Sequence, residues 1–462
     1  MKKSDHYDAV VIGAGQGGGP LATAFARSGL TTALIERKHV GGTCINEGCT
    51  PTKTMVASAR VAHLVRRAAD YGVRTGPIAI DMETVRERKR TIVESFRKGS
   101  QTRIEQTAGL DLFFGTASFI GTKVLEARLH DGSTRTLSAD RIVVDTGTRP
   151  SIPPIEGLSE VTYLDSTSIM ELARVPSHLL VLGGGYVGLE FAQMFRRLGA
   201  AVSIIQRGSQ LLTREDPDIA ALVSDILRED GIEILLKMEA STVRQGDSGE
   251  IELVLRRSGV EERRSGSHLL VAVGRVPNTE DLNLPATGVE RDARGYIRVN
   301  DRLETTVPGI YALGDVTGGP AFTHVSYDDY RILRSNLLEG RQASTAGRVI
   351  PYTVYIDPQL GRVGMSEREA RRAGHEVTVA TMPMAHVARA LEVDESRGLM
   401  KAVVDARSTQ LLGCAILGIE GGEVAAMLQV AMAGRVPVTQ LRDMMFAHPT
   451  LAESLNNLFA TI

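Results

Sequence analysis

Cysteine is scarce in this chain. Three occur among 462 residues, tryptophan is absent, and aromatic side chains make up 4%. Three cysteines cannot build a disulfide framework, which points to a reducing setting and a cytoplasmic protein. The shortage of aromatics carries no functional conclusion. No apolar run reaches the roughly 18 residues that a membrane-spanning helix needs. The opening MKKSDHYDAVVIGAG starts basic, but its apolar stretch is short and runs into glycines. It reads as a first strand, not a secretory signal. Charge of one sign is also missing: Lys plus Arg total 53, Asp plus Glu 55, for a net charge of −2. That balance gives no pull toward nucleic acid or a membrane surface. The 43% of hydrophobic residues suffices for ordinary cores, and the length allows about three domains.

Glycine is where the sequence speaks. YDAVVI (7–12) reads as a strand, GAGQGG as a turn, PLATAFARSGL as a helix, and TTALIE as a second strand. Gly13, Gly15 and Gly18 fit G-x-G-x-x-G. The first permits the tight turn, the second lets backbone approach a pyrophosphate, and the third lets helix pack on strand. The helix start offers free N–H groups and a positive dipole end to the phosphates. Glu36 follows Gly15 by 21 residues, where an acid binds a ribose hydroxyl. The unit recurs as HLLVL (178–182), GGGYVG, LEFAQMFRRLG and AVSIIQR, with Gly183, Gly185 and Gly188 in the same places. Gln206 stands where Glu36 stood. One such motif is weak. Two, in the same strand–turn–helix–strand setting, predict a chain that binds two dinucleotides.

Between the copies, residues 53–73 and 81–107 have helical spacing, and the charges of the second stretch read as a solvated face. After residue 345 the pattern becomes α+β, with strands such as VTVATMPM and LMKAVVDA and helices near 366–373, 421–433 and 437–445. The expected architecture is α/β: two Rossmann-like dinucleotide-binding domains and a C-terminal α+β domain. The boundaries are 1–150 with 276–345, then 151–275, then 346–462.

Two cysteines lie in GGTCINEGCTPTK, as Cys44 and Cys49. A structural disulfide closing so small a loop would remove little unfolded-state entropy. A zinc site needs about four ligands, and no further cysteine or histidine cluster lies nearby, so no metal is expected. A redox reading has a mechanism. With Pro51 close behind it, Cys49 falls at a helix start, where the dipole stabilises a thiolate and lowers the thiol pKa.

That segment closely resembles the redox-active stretch of the pyridine nucleotide-disulfide oxidoreductases. The resemblance extends over nearly the whole chain, through both glycine turns, VAVGRVPN (271–278), GIYALGDV (309–316) and AHPTLAE (447–453). Within the family it is nearest to mercuric-reductase-like and hypothiocyanous acid reductase-like members, an impression driven by FTHVSYDDYRI (322–332). It implies FAD in the first domain, NAD(P)H in the second, and a homodimer through the third. Cys44 would be the interchange thiol that meets a small-molecule substrate, and Cys49 the charge-transfer thiol beside the flavin. Lys53 would approach the flavin and pair with Glu190; without the motif it would read as an exposed helix lysine. Asp315 would bind the ribityl chain. Gly42, Thr43, Gly115, Thr146, Gly147, Gly274, Arg275 and Gly314 match further cofactor positions. Tyr186 resembles the tyrosine that covers the nicotinamide pocket. His448 and Glu453 would form the acid–base pair, reaching the partner subunit's site from a turn entering a helix with Pro449 near its start. Electrons would then pass from the nicotinamide through FAD to the cysteine pair and on to substrate, with His448 shuttling the proton.

Gln206 removes the negative charge that would repel a 2′-phosphate, and Arg207 and Arg214 offer guanidinium forks that suit one, favouring NADPH over NADH. Against a mercuric reductase stand three departures: LAESLNNLFATI ends without a cysteine pair, no N-terminal metal-binding domain is present, and His448 replaces the usual tyrosine. The leading expectation is an NADPH-dependent disulfide reductase for a small disulfide or an oxidised sulfur species such as hypothiocyanous acid. Reduction of mercury or copper by the same pair is one alternative. A dihydrolipoamide dehydrogenase-type subunit of a larger complex is another. Cys414, in LLGCAILG, reads as a buried core residue.

Overall fold

The computed structural model describes residues 5–246 and 249–462. The chain divides into two compact units, one of residues 1–54, 86–151 and 274–348, the other of 55–85, 152–273 and 349–462.

The first unit is built on the strand Asp5–Ile12. Its inner residues form a continuous apolar run buried on both faces, as a central parallel strand requires. It pairs in parallel with Thr32–Glu36 on one side and Thr134–Val144 on the other. Leu110–Gly121 and Ile310–Ala312 extend the sheet outward, and Val124–Leu129 joins Leu110–Gly121 to Thr134–Val144 by antiparallel pairing. The helix Gly18–Arg27 buries Leu21, Ala22, Phe25 and Ala26, which pack with Ile332 and Leu333 of the helix Thr323–Glu339. On the sheet's other face Phe119, Leu125, Leu137 and Ile142 form a separate core.

The second unit contains a parallel sheet ordered His268–Val271, His178–Leu182, Ala201–Gln206, Glu233–Leu236, with the helices Tyr186–Leu198 and Pro217–Glu229. It also holds a three-stranded antiparallel sheet over 239–266 and a five-stranded one from Tyr352–Val354 to Leu411–Gly418. The helices Gly421–Ala433, Val438–Asp443 and Ser454–Phe459 cover the latter, and Cys414 is buried in its core, as its apolar strand predicts. Among the described residues no helix is long and apolar enough to cross a membrane.

Candidate functional site

Both glycine turns have the geometry their spacing predicts. Gly13 has φ +104°, and a Cβ there would lie 2.2 Å from the Asp145 carbonyl oxygen. A Cβ on Gly18 would lie 2.2 Å from the Gly13 carbonyl, so only glycine lets this helix close on its strand. In the second copy Gly183 has φ +111°, and Gly188 would meet the Gly183 carbonyl at the same 2.2 Å. Gly185 faces open space, and no side chain caps the helix Tyr186–Leu198 that follows it. Its first N–H groups therefore remain available to a phosphate. The residues that end each second strand also correspond: Ala14 N–H donates to Glu36 Oε2 at 2.9 Å, and Gly184 N–H to Gln206 Oε1 at 3.1 Å. The two cradles fit two dinucleotides.

Several residues expected near the flavin meet in the first unit. The short strands Thr148–Pro150 and Arg275–Pro277 pair antiparallel. Arg275 Nε donates to Thr148 Oγ1 at 2.7 Å, and that hydroxyl donates to Asp315 Oδ2 at 3.0 Å. Burial raises the Asp315 carboxyl above the ordinary range, opposed by Thr148 and Arg275. Thr146 and Asn278 exchange hydrogen bonds of 2.8 and 2.9 Å, and Gly147 turns between them with φ +64°. Gly115 has a packing reason of its own: a Cβ would meet the Arg128 carbonyl oxygen at 2.2 Å across the antiparallel pair.

Cys44 sits in the short helix Gly42–Asn46, and Cys49 is the first residue of the helix Cys49–Arg66. The helix start expected at Cys49 is where it is found. Both are free thiols, Cys44 half-buried and Cys49 exposed. Cys44 is hydrogen-bonded to Cys49, which together with burial pushes its thiol well above the ordinary range; Thr323 and Lys53 oppose the shift. Lys53 lies one helical turn after Cys49. Cys49 Sγ is 3.5 Å from Thr323 Oγ1. The sequence reading missed Thr323. It is 274 residues from Cys49, and a threonine opening a helix ordinarily reads as a local cap.

Asp145 was missed as well. It is 8% exposed, and its Oδ2 accepts the Gly18 N–H at 2.7 Å. Burial holds its carboxyl well above the ordinary range; the Gly18 N–H opposes the shift, and Asp315, Glu36 and Asp329 add to it. A raised carboxyl keeps its proton to higher pH folded than unfolded. Its cost to stability is absent below the ordinary carboxylate range and grows as pH climbs toward the raised value. Asp145→Asn keeps an acceptor for Gly18 and removes that cost. It is expected to stabilise the protein at about pH 8, and much less near about pH 4. Thermal unfolding of both proteins across that range checks this; a gain that does not depend on pH would refute it.

The second unit holds the remaining candidates. Tyr186 begins its helix, and Glu190 lies buried one turn on, its Oε1 accepting the Tyr355 N–H at 2.8 Å. Arg207 and Arg214 are exposed, and Arg207 lies 3.8 Å from Glu239. His448 Nδ1 is 3.0 and 2.9 Å from the two Glu453 oxygens, so the pair expected from the sequence is formed. One detail differs. The helix begins at Ser454 with Glu453 as its N-cap, and Pro449 lies in the loop before it. Thr450 accounts for this: its hydroxyl bonds the Ala447 carbonyl and accepts the Glu453 N–H, closing a separate turn ahead of the helix. Among the described residues no group of three or more His, Cys, Asp or Glu side chains could hold a metal ion.

Comparison with known proteins agrees over almost the full length. Residues 7–329 match the pyridine nucleotide-disulphide oxidoreductase family, and residues 350–459 match its dimerisation domain. The chain is 36% identical over 460 residues to RclA of Escherichia coli (strain K12), a probable pyridine nucleotide-disulfide oxidoreductase, covering 99% of both. A mercuric reductase of Streptomyces lividans is 35% identical over 450 residues, 97% of this chain and 94% of that protein. The solved Cu(II) complex of the HOCl-induced flavoprotein disulfide reductase RclA from Escherichia coli has a TM-score of 0.90 at 36% identity, covering 99% of this chain and 100% of that one. The fold is thus the α/β disulfide oxidoreductase fold with a C-terminal dimerisation domain, which fits a homodimer. The protein is an oxidoreductase of the flavoprotein disulfide reductase type, with FAD and a pyridine nucleotide as its cofactors. The chain belongs to the pyridine nucleotide-disulphide oxidoreductase family.

Proposed function

We propose that this protein is an NADPH-dependent reductase of a small disulfide or of an oxidised sulfur species such as hypothiocyanous acid. The observation that carries the reading is the pair Cys44 and Cys49, hydrogen-bonded to each other with Cys49 opening an 18-residue helix. FAD, held by the first glycine turn, Glu36, Arg275 and Asp315, supplies the two electrons that regenerate the dithiol at the expense of NADPH. Lys53 supplies a positive charge beside it. Tyr186 covers the nicotinamide pocket, and Arg207 and Arg214 receive the 2′-phosphate. The segments 1–150 with 276–345, 151–275 and 346–462 serve FAD, NADPH and dimerisation in turn.

The chain's own chemistry runs through sulfur. Cys44 gives its proton to the partner subunit's His448, whose tautomer Glu453 fixes. The Cys44 thiolate attacks one sulfur of the substrate disulfide, the substrate S–S bond breaks, and a mixed disulfide forms. The departing thiolate takes the proton back from His448. Cys49 thiolate then attacks the Cys44 sulfur, closing the Cys44–Cys49 disulfide and releasing the second substrate thiolate.

A second reading is reduction of Hg(II) or Cu(II) on the same two sulfurs. It is favoured by the 35% identity to a mercuric reductase and by the Cu(II) complex solved for RclA. The deciding experiment follows nicotinamide oxidation by the purified protein with small disulfides, hypothiocyanous acid and thiol-complexed Hg(II) or Cu(II), each with NADPH and NADH. Turnover of a sulfur substrate with NADPH at least about tenfold above NADH is expected, since a charge-assisted phosphate contact is worth about that factor. Turnover of a metal ion alone would overturn the reading.

A further inference from the structure

We propose that the Asp145 carboxyl is a proton-controlled switch on flavin binding: neutral, it leaves the start of the helix Gly18–Arg27 to the FAD diphosphate, and ionised it competes for that place, so that FAD affinity falls as pH rises. This rests on the reading that the first glycine turn holds FAD. It is tested through flavin release and not through turnover, with one variant that tests the turn by itself.

The carboxyl is built into the cradle. The helix Gly18–Arg27 has no acidic residue in its first turn, and no side chain of Gly17 can cap it. The group that reaches its start comes from the residue after the strand Thr134–Val144: Asp145 Oδ2 accepts the Gly18 N–H at 2.7 Å. A Cβ on Gly15 would lie 2.7 Å from the same oxygen, and one on Gly18 2.8 Å. Gly15 is the position whose bare backbone a diphosphate approaches. The other oxygen faces the turn Gly314–Thr317, where a Cβ on Gly314 would lie 3.1 Å from Asp145 Oδ1. One carboxyl thus sits between the glycine turn and the turn that carries Asp315.

A helix start favours negative charge and offers its N–H groups to an anion. The diphosphate and an ionised Asp145 would both claim them, and like charges side by side disfavour each other. The surroundings act the same way. Burial disfavours the ionised form most, the Gly18 N–H opposes it, and Asp315, Glu36 and Asp329 add to it from a turn, a strand end and the helix Thr323–Glu339. The nearby cations face other carboxyls. Arg348 Nη1 is 2.6 Å from Asp329 Oδ1 and 3.3 Å from Asp328 Oδ2, and Arg275 acts on Asp315. His39, beside Glu36, is held below the ordinary imidazole range by burial and Arg97, so it is neutral where Asp145 ionises. Both phosphates of FAD are strong-acid diesters whose charge does not change over that range. Bound diphosphate therefore raises the carboxyl further. Binding takes up a proton between the free and bound values, and affinity falls through that interval as pH rises.

The test dilutes the flavin-loaded, full-length protein and reads free FAD by its fluorescence at equilibrium, from about pH 5 to about pH 9. The parent is compared with Asp145→Asn, which keeps an acceptor for Gly18 but cannot ionise, and with Asp145→Ala, which keeps neither. The parent's FAD dissociation constant is expected to rise by up to about tenfold per pH unit across the interval. Both variants are expected to stay within about twofold over the whole range, and Asp145→Asn to bind FAD at least about tenfold tighter than the parent at about pH 8. A parent constant that does not change with pH overturns the inference, and so does a slope that survives in both variants. Gly15→Val tests the turn alone, since its side chain crowds the place of the diphosphate; nicotinamide binding checks that this variant is folded. It is expected to lose FAD at every pH. Retained FAD would overturn the reading of the turn and the inference with it, whereas a surviving slope overturns the inference alone.

Discussion

Cys44→Ser is expected to abolish turnover, by at least about 10³-fold, in a protein that still binds FAD and nicotinamide. The glycine turns expected to hold the nucleotides involve neither sulfur: Gly13 and Gly18 are packed against Asp145 and each other, and Gly183 and Gly188 against Ala272 and each other. Cofactor binding should therefore survive. Cys49→Ser is also expected to be inactive in the steady state, but it should differ in one observable way. Its Cys44 can still attack a substrate disulfide once, and with no second thiol to resolve it the mixed disulfide stays. Mass spectrometry should find about one substrate adduct per chain in Cys49→Ser and none in Cys44→Ser. This order follows from the roles the family resemblance implies, Cys44 meeting the substrate and Cys49 resolving the mixed disulfide. Adducts on Cys49 in Cys44→Ser, with none in the reverse variant, would exchange the two roles.

What the sequence disclosed depended on whether the deciding contacts were local. The strand 178–182 was legible to the residue because the apolar run LLVL after His178 leads straight into a glycine whose positive φ no other residue tolerates well. His448 and Glu453 were legible because five residues suffice to bring an imidazole to a carboxylate. The turn between them was not, because it depends on the Thr450 hydroxyl taking the place of a helix start. Thr323 and Asp145 were illegible for a different reason. Their partners lie 274 and 127 residues away, and nothing in FTHVS or VVDTG distinguishes a hydroxyl aimed at sulfur, or a carboxyl aimed at a glycine N–H, from an ordinary cap or strand end. The helix Cys49–Arg66 was visible from its periodicity, but periodicity does not say what a helix packs against. Its first residues belong to one unit and the rest, from Met55, to the other.

His448→Ala is expected to lower turnover about 10²- to 10⁴-fold at neutral pH, and the loss should shrink as pH rises. The His448 side chain is 73% exposed while Glu453 is 22% exposed, so the carboxylate anchors one edge of the ring and leaves the other facing outward. With Nδ1 donating to Glu453, Nε2 carries the lone pair that accepts a thiol proton. Because the Cys44 thiol is held above its ordinary range, it needs that base at neutral pH and dispenses with it only in alkali. Glu453→Gln should lose less, since an amide oxygen can still orient Nδ1–H but cannot stabilise the imidazolium. A mixing experiment shows whose His448 serves which site. Cys44→Ser and His448→Ala homodimers are each inactive. If the site takes Cys44 from one chain and His448 from its partner, random exchange of subunits makes half the dimers hybrid, each with one complete site. About a quarter of wild-type activity should then return. If His448 serves its own chain, no arrangement of the two variants contains a complete site, and mixing restores nothing.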